Sequence, residues 1–127
     1  MKTVSLMVVI TIMLFACNGE GSSSYDRAGV DQRYQAVSAL TQDLSCTDST
    51  VCLSIGIGSK PCGGPWRNLV YSAATVAPEK LTAAVADLNA FEAGYNQQEG
   101  LLSDCSLASP ANPSCVNHNC VDLNATP

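Results

Sequence analysis

Seven cysteines in a chain of 127 residues restrict how this protein can fold more than any other feature of its sequence. Six of them lie in one stretch of the chain, at Cys46, Cys52, Cys62, Cys105, Cys115 and Cys120. An even set of this kind is typical of three disulfides in an oxidising compartment. Each disulfide would stabilise a small domain by about 2–4 kcal/mol. The spacing does not select one connectivity among those that six cysteines allow.

The seventh cysteine, Cys17, follows an apolar N-terminal run. Lys2 is followed by uncharged residues 4–15, a run that is too short to span a bilayer and is typical of a secretory signal. The segment Leu14-Phe15-Ala16-Cys17 resembles the lipobox of bacterial lipoproteins, in which the cysteine becomes the lipidated first residue of the mature chain. This resemblance implies a lipid on Cys17, which accounts for the odd cysteine. Cleavage a few residues later, for example after Gly19, would instead release a secreted protein.

The lipobox divides the chain into three predicted parts. Residues 1–16 form a lipoprotein signal peptide, residues 17–29 comprise the lipidated Cys17 and a flexible tether, and residues 30–127 form one small domain. Two or more acyl chains give stable membrane anchoring. The predicted location is therefore the bacterial cell envelope, at the outer membrane if the host is Gram-negative. The predicted partners are the membrane, through the lipid on Cys17, and a protein of the envelope.

The charge of the mature chain excludes one class of partner. Residues 17–127 contain five basic and eleven acidic residues, because Lys2 is lost with the signal peptide, so the formal net charge is −6. A chain with this charge is not expected to bind nucleic acid or an anionic membrane surface.

Hydrophobic periodicity predicts two helices and a hairpin. An apolar stripe predicts a first helix that is capped by Asp31 and ends near Leu44, and a stronger stripe predicts a second helix over 78–98. Residues 51–57 alternate as in a strand with one buried face, and 69–71 are a second strand candidate. The expected fold is α+β, with two helices packed on a small antiparallel sheet and stapled by three disulfides.

The rest of the chain carries weaker patterns. Residues 101–113 are predicted to be a loop, and 115–121 to be either a small hairpin or a cysteine-closed loop. Four acidic residues are interpreted as solvated: Asp43, Asp87, Glu92 and Glu99.

The glycine- and proline-rich segment 54–66 raises the question of a ligand site. A phosphate cradle is excluded, because Pro61 rather than Ser or Thr follows Lys60 and no helix comes next. A turn tied to the domain by Cys62 is the main interpretation, and a protease inhibitor's reactive loop with Lys60 as specificity residue is the alternative. Trp66 and Arg67 follow the loop and, with Lys60, are the candidate contacts for a partner.

No catalytic, cofactor or metal site is predicted. His118, the only histidine, has no nucleophile beside it. The spacing Cys115-x-x-His118-x-Cys120 would suit zinc or copper, but an oxidising compartment favours disulfides over thiolate ligands.

Several segments together resemble a group of small exported cysteine-rich bacterial proteins, many of them predicted lipoproteins, that share a Cys-Gly-Gly-Pro element. The segments are 60–65 (KPCGGP), 69–72 (LVYS), 103–105 (SDC) and 113–121 (PSCVNHNCV). Similar proteins have a glycine where this chain has His118. The resemblance implies no activity. The predicted function is therefore a lipid-anchored binding or structural module, and the alternative is an inhibitor of a secreted protease or glycosidase.

Overall fold

The computed structural model describes residues 24–125, and the predicted signal peptide and Cys17 lie outside this range. The elements in chain order are α1 (Arg27–Leu40), a short 3-10 helix (Ser49–Val51), β1 (Cys52–Ile57), β2 (Arg67–Ser72), α2 (Pro78–Glu99), β3 (Pro113–Val116) and β4 (Asn119–Asp122). The α+β prediction is confirmed. The strands form two separate two-stranded antiparallel sheets, β1–β2 and β3–β4. In residues 24–125, neither helix has both the length and the apolar character needed to cross a membrane.

Helix α1 begins earlier than the sequence predicts. Its N-cap is Asp26, whose Oδ1 accepts a hydrogen bond from the Gly29 N–H at 2.6 Å, so the prediction of Asp31 as the cap is wrong. The backbone of Tyr25 exchanges two hydrogen bonds with the Gln98 side chain, at 3.1 and 2.8 Å. Residues 25–29, assigned to the tether in the sequence analysis, therefore belong to the folded domain.

The predicted end of α1 near Leu44 is also wrong. The helix ends at Leu40, where the Thr41 hydroxyl donates back to the Val37 carbonyl at 3.1 Å. Side-chain bonding of this kind competes with the helical ladder and favours termination.

Helix α2 confirms its prediction. Pro78 occupies the first turn, where its missing N–H costs nothing, and Gly100 ends the helix in the left-handed region at φ 60°. Its buried face includes Leu81, Val85 and Leu88. The two helices run antiparallel, because Tyr25 lies beside the end of α2.

The β1–β2 sheet is covered on both faces, whereas the sequence predicted one buried face. Ile57 and Tyr71 lie on the helix side in the main apolar core. Cys52 and Ser72 are paired across the strands on the opposite side, where Cys52 packs in a second cluster with Cys46 and Cys120. Because side chains alternate along a strand, the sheet separates the helices from the C-terminal hairpin.

The β3–β4 pair confirms the hairpin alternative for residues 115–121. Its two-residue turn holds Asn117 at φ 49° and His118 at φ 63°, as a type I′ turn requires. Cys115 lies directly opposite Cys120, but these two residues are not bonded to each other. The disulfides are Cys46–Cys115, Cys52–Cys120 and Cys62–Cys105. The first two fasten the hairpin to the chain around β1, and the third fastens loop 58–66 to loop 101–112.

Candidate binding site around Trp66

A row of polar side chains on α2 holds the loop that follows β1. Asn89 and Asn96 lie seven residues apart, on one face of the helix. The Asn89 Oδ1 accepts from the Gly58 N–H at 2.8 Å, and the Asn96 Nδ2 donates to the Ser59 carbonyl at 2.6 Å. The start of the loop is therefore fixed to the helix by hydrogen bonds from both directions.

Glu92 lies between these two asparagines and is the centre of the junction. It is only 6% exposed, so its prediction as a solvated residue is wrong. Its Oε2 accepts from the Ser59 N–H at 2.7 Å and from the Tyr34 hydroxyl at 3.1 Å, and its Oε1 accepts from Trp66 Nε1 at 3.1 Å. Three donors compensate for the cost of burying the carboxylate. Glu92 therefore joins α1, α2, the loop and Trp66.

Tyr34 serves this junction as a neutral donor. Burial raises the pKa of its hydroxyl well above the ordinary value, and the negative charge of Glu92 and the hydrogen bond to it raise the pKa further. The hydroxyl therefore keeps its proton at any physiological pH and donates it to Glu92.

Gly58 is required where the loop passes under the tryptophan. Its φ is +82°, and a Cβ atom there would collide with the Tyr34 hydroxyl and the Trp66 ring. Only glycine fits both the backbone angle and the close approach. The structural interpretation of the glycine-rich loop is confirmed at this position.

Lys60 is buried and fully engaged. Its side chain is 7% exposed, and Nζ donates to Asp104 Oδ1 at 2.8 Å, to the Ser106 carbonyl at 2.8 Å and to Ser106 Oγ at 2.9 Å. The hydrogen bond from Lys60, together with those from Ser106, lowers the pKa of Asp104 to about 2. Nζ also lies 5.6 Å from the centre of the Trp66 ring, within cation–π range.

The burial of Lys60 can be compared with what a protease inhibitor's reactive loop requires. A specificity residue must protrude into the target enzyme's pocket, whereas Lys60 points into the domain and uses its ammonium group to tie two loops together. The geometry gives Lys60 a structural role beside the Cys62–Cys105 disulfide. It therefore does not favour the alternative in which Lys60 is the specificity residue.

Trp66 and Arg67 remain at the surface, side by side. Trp66 is 43% exposed while its indole N–H is held by Glu92. Arg67 is exposed and, among residues 24–125, its guanidinium forms no hydrogen bond or ion pair. The two line an open groove of about 300 Å³ together with Asp122 and Asn124. An aromatic residue, an arginine and an aspartate thus line one shallow depression.

The groove is built from fixed loops. Asn68 Nδ2 donates to the Ser109 carbonyl at 2.7 Å, and Asn124 Nδ2 donates to the Pro110 carbonyl at 3.0 Å. Asp122 Oδ1 accepts from the backbone N–H groups of both Asn112 and Asn124, at 2.7 and 3.0 Å. The surface of the groove is therefore largely preformed, which lowers the entropy lost when a partner binds.

The structure does not support the metal alternative at 115–120. Cys115 and Cys120 are each in a disulfide, so neither sulfur is a thiolate, and His118 is exposed at the hairpin turn. The sulfur atoms of Cys46, Cys52 and Cys120 lie within 4.8 Å of one another. Their closeness follows from the two neighbouring disulfides.

Trp66 and Arg67 are identifiable from the sequence, whereas Tyr34, Asn89, Glu92 and Asn96 were not predicted to belong to the site. The spacing of α2 contains a signal for two of these: Leu81, Val85, Leu88, Glu92 and Asn96 recur every three or four residues, as one continuous buried stripe would. A polar residue that continues an apolar stripe is a candidate for a buried hydrogen-bond centre.

Comparisons with known proteins place the chain in no family. No protein-family model, no curated protein and no solved structure matches it.

Proposed function

We propose that this protein is a lipid-anchored protein of the bacterial cell envelope that acts as a small binding module, with its contact surface centred on Trp66 and Arg67. The observation that carries the binding role is the half-exposed Trp66, held by the buried Glu92, beside Arg67, whose guanidinium has no hydrogen-bond or ion-pair partner within residues 24–125. Tryptophan and arginine are among the residue types most enriched in energetic hot spots of protein interfaces. A fixed indole also loses little side-chain freedom on binding.

The disulfide pattern supports the anchoring part of the proposal. The three disulfides use all six cysteines of residues 24–125, so none of these remains to pair with Cys17. A thioether to lipid at Cys17 is the chemistry that the lipobox resemblance implies.

The anchoring part is tested by the intact mass of the protein from native membranes, with and without reduction and alkylation. We expect the mass of residues 17–127 plus acyl chains, with six cysteines alkylated only after reduction. An unacylated mass would contradict anchoring.

The binding part is tested by crosslinking in intact cells with a photoreactive amino acid at position 125, an exposed alanine that lines the groove. A discrete crosslinked protein should be lost in Trp66→Ala and in Arg67→Ala. Arg27→Ala is the matched control, because Arg27 is an exposed arginine on α1 whose partner is the neighbouring Asp31. Crosslinking that is unchanged by the Trp66 and Arg67 substitutions would contradict a groove-centred role.

A further inference from the structure

The two most exposed large apolar side chains of residues 24–125 lie in the loop that follows α2. Leu102 is 95% exposed, Leu107 is 93% exposed, and Leu101, which precedes Leu102 in the chain, is 43% exposed. We call Leu101, Leu102 and Leu107 the leucine patch. The three leucines fall within seven residues of the chain, and exposed apolar surface that is grouped marks an interaction site.

The leucine patch lies near Tyr25, because Tyr25 contacts the last turn of α2 and the patch begins directly after that helix. Tyr25 exchanges two hydrogen bonds with Gln98, in the last turn of α2, and packs edge-on against Phe91 with ring centres 5.0 Å apart. At the end of the helix the Leu101 N–H turns back to the Asn96 carbonyl at 3.0 Å. Leu102 therefore follows the helix turn that holds Tyr25.

Leu107 belongs to the same end of the domain. Its neighbour Ser106 is held by Lys60, and the residue before Lys60, Ser59, is bound by Asn96 in the same last turn of α2. The hairpin turn lies at the opposite end, because Cys120 bonds to Leu44, beyond the C-terminus of α1. The fourteen residues of α1 span about 20 Å between the two ends.

The chain that precedes the domain is short. From Cys17 to Ser24 there are seven residue steps, which reach at most about 25 Å when fully extended. An acyl group on Cys17 would therefore keep the Tyr25 end of the domain within about 25 Å of the lipid surface. The leucine patch is at that end, and the hairpin turn is not.

We infer that the leucine patch rests on the lipid bilayer, with Leu102 and Leu107 inserted at the boundary between headgroups and acyl chains, so that the domain has one fixed orientation on the membrane. This inference rests on the lipid anchor of the proposed function. Because Glu99 precedes the patch, Asp104 lies between Leu102 and Leu107, and the mature chain has a net charge of −6, the favourable contact is apolar. Zwitterionic lipid therefore suffices, and anionic lipid weakens insertion.

The test uses the full lipidated chain, processed in cells and reconstituted into phosphatidylcholine vesicles that carry nitroxide-labelled lipids. Trp66→Phe removes the native fluorophore, and Leu102→Trp or Val116→Trp then supplies a single reporter. Val116 is the matched control, because it is an exposed apolar residue beside the hairpin turn at the far end. Circular dichroism checks that both variants are folded, and the intact mass of each sample checks acylation.

In acylated protein, the reporter of Leu102→Trp should be quenched most strongly by nitroxide labels at a depth of about 5–10 Å in the bilayer, as expected for side chains bound at the interface. The fluorescence emission of this reporter should also shift to shorter wavelength. The reporter of Val116→Trp should be unquenched, and phosphatidylglycerol should reduce the quenching at position 102. If the acylated protein shows equal, weak quenching at both positions, the inference is overturned while the anchor stands, and the patch then belongs to a protein partner or a second copy. An unacylated mass overturns the inference together with the anchor.

Discussion

The two faces of the β1–β2 sheet are covered by elements that are held in place by different interactions. On one face, α1 and α2 bury a core that includes Val37, Ile57, Leu81, Val85 and Leu88. On the other face, the β3–β4 hairpin contributes four-residue strands, and its fully buried side chain there is Cys120, in a disulfide. Long amphipathic helices bury enough apolar surface to stay in place, whereas a short hairpin is marginal by itself and is fastened covalently.

Removing both hairpin disulfides should have the largest effect. The two crosslinks close nearly the same loop, with separations of 69 and 68 residues, so either one alone constrains the unfolded chain almost as much as both do. In the variant with Cys46, Cys52, Cys115 and Cys120 replaced by alanine, opening this loop should cost about 4 kcal/mol of unfolding free energy, and loss of the other crosslink should add less. Guanidinium unfolding measures the total, and hydrogen exchange should show residues 113–122 deprotected before α2.

The control for that variant is the double substitution Cys62→Ala, Cys105→Ala. Its bridge joins loops 58–66 and 101–112 and does not fasten the hairpin to the chain around β1, so the amides of 113–122 should stay protected. Equal deprotection of residues 113–122 in both variants would contradict the claim that the two hairpin disulfides hold the hairpin on its face of the sheet.

On the helix face, Leu88→Ala should cost about 3–4 kcal/mol, because Leu88 is fully buried and its removal leaves a cavity in the core. Thermal or guanidinium unfolding should show a cooperative loss over the whole domain. Leu102→Ala is the matched control, since the same substitution at an exposed site should change the unfolding free energy by less than about 0.5 kcal/mol. A small loss at Leu88 would mean that the disulfides dominate on this face too.

At the junction between the helices and the sheet, Glu92→Gln should cost about 2 kcal/mol, because an amide offers one acceptor oxygen where three donors converge. The pKa of Tyr34 should fall towards its ordinary value, since the charge of Glu92 contributes to raising it. Denaturation and spectrophotometric titration of tyrosine measure the two effects. Glu99→Gln, an exposed position on the same helix, is the control and should change neither.

Acid should weaken the contact between loops 58–66 and 101–112, which the ion pair of Lys60 and Asp104 joins. The pKa of Asp104 is lowered to about 2 in the folded chain, so its contribution is fully present above the unfolded pKa near 4 and is lost as the pH falls from about 4 through 2. Unfolding midpoints between pH 5 and 2 should fall less steeply in Asp104→Asn than in the natural chain. Identical pH profiles would contradict the pairing with Lys60.

The smallest effect should be a gain. His118 adopts φ 63°, a region that suits glycine, so His118→Gly should raise the unfolding free energy by about 0.5–1 kcal/mol. The thermal midpoint measures this gain, and Asn117→Gly should give less, because asparagine tolerates the left-handed region. A loss of stability in His118→Gly would show that the imidazole makes a contribution of its own.

Much of the helix–sheet half was predictable because its signals are local. Pro78 and Gly100 mark the ends of α2 through backbone rules that need no tertiary context. The start of α1 was not predictable in the same way. Asp26 and Asp31 both suit an N-cap, and the contacts of Tyr25 with Gln98 decide between them.

The candidate site was predictable only in part. Trp66 and Arg67 stand out by residue type and position, but the burial of Glu92 and Lys60 depends on which loops meet across the fold. The pairing of the cysteines likewise depends on which segments of the chain meet across the fold. Cys115 and Cys120 face each other in the hairpin, yet each bonds to a cysteine more than sixty residues away.

Peptide mapping of the unreduced protein by tandem mass spectrometry tests most directly the claim that the hairpin is fastened covalently to the sheet. Cleavage before Asp48 separates Cys46 from Cys52, and cleavage within 116–119 separates Cys115 from Cys120. The structure predicts the crosslinked pairs Cys46–Cys115, Cys52–Cys120 and Cys62–Cys105. A Cys115–Cys120 crosslink, or free thiols at these positions, would contradict the claim, because the hairpin would then have no covalent link to the sheet.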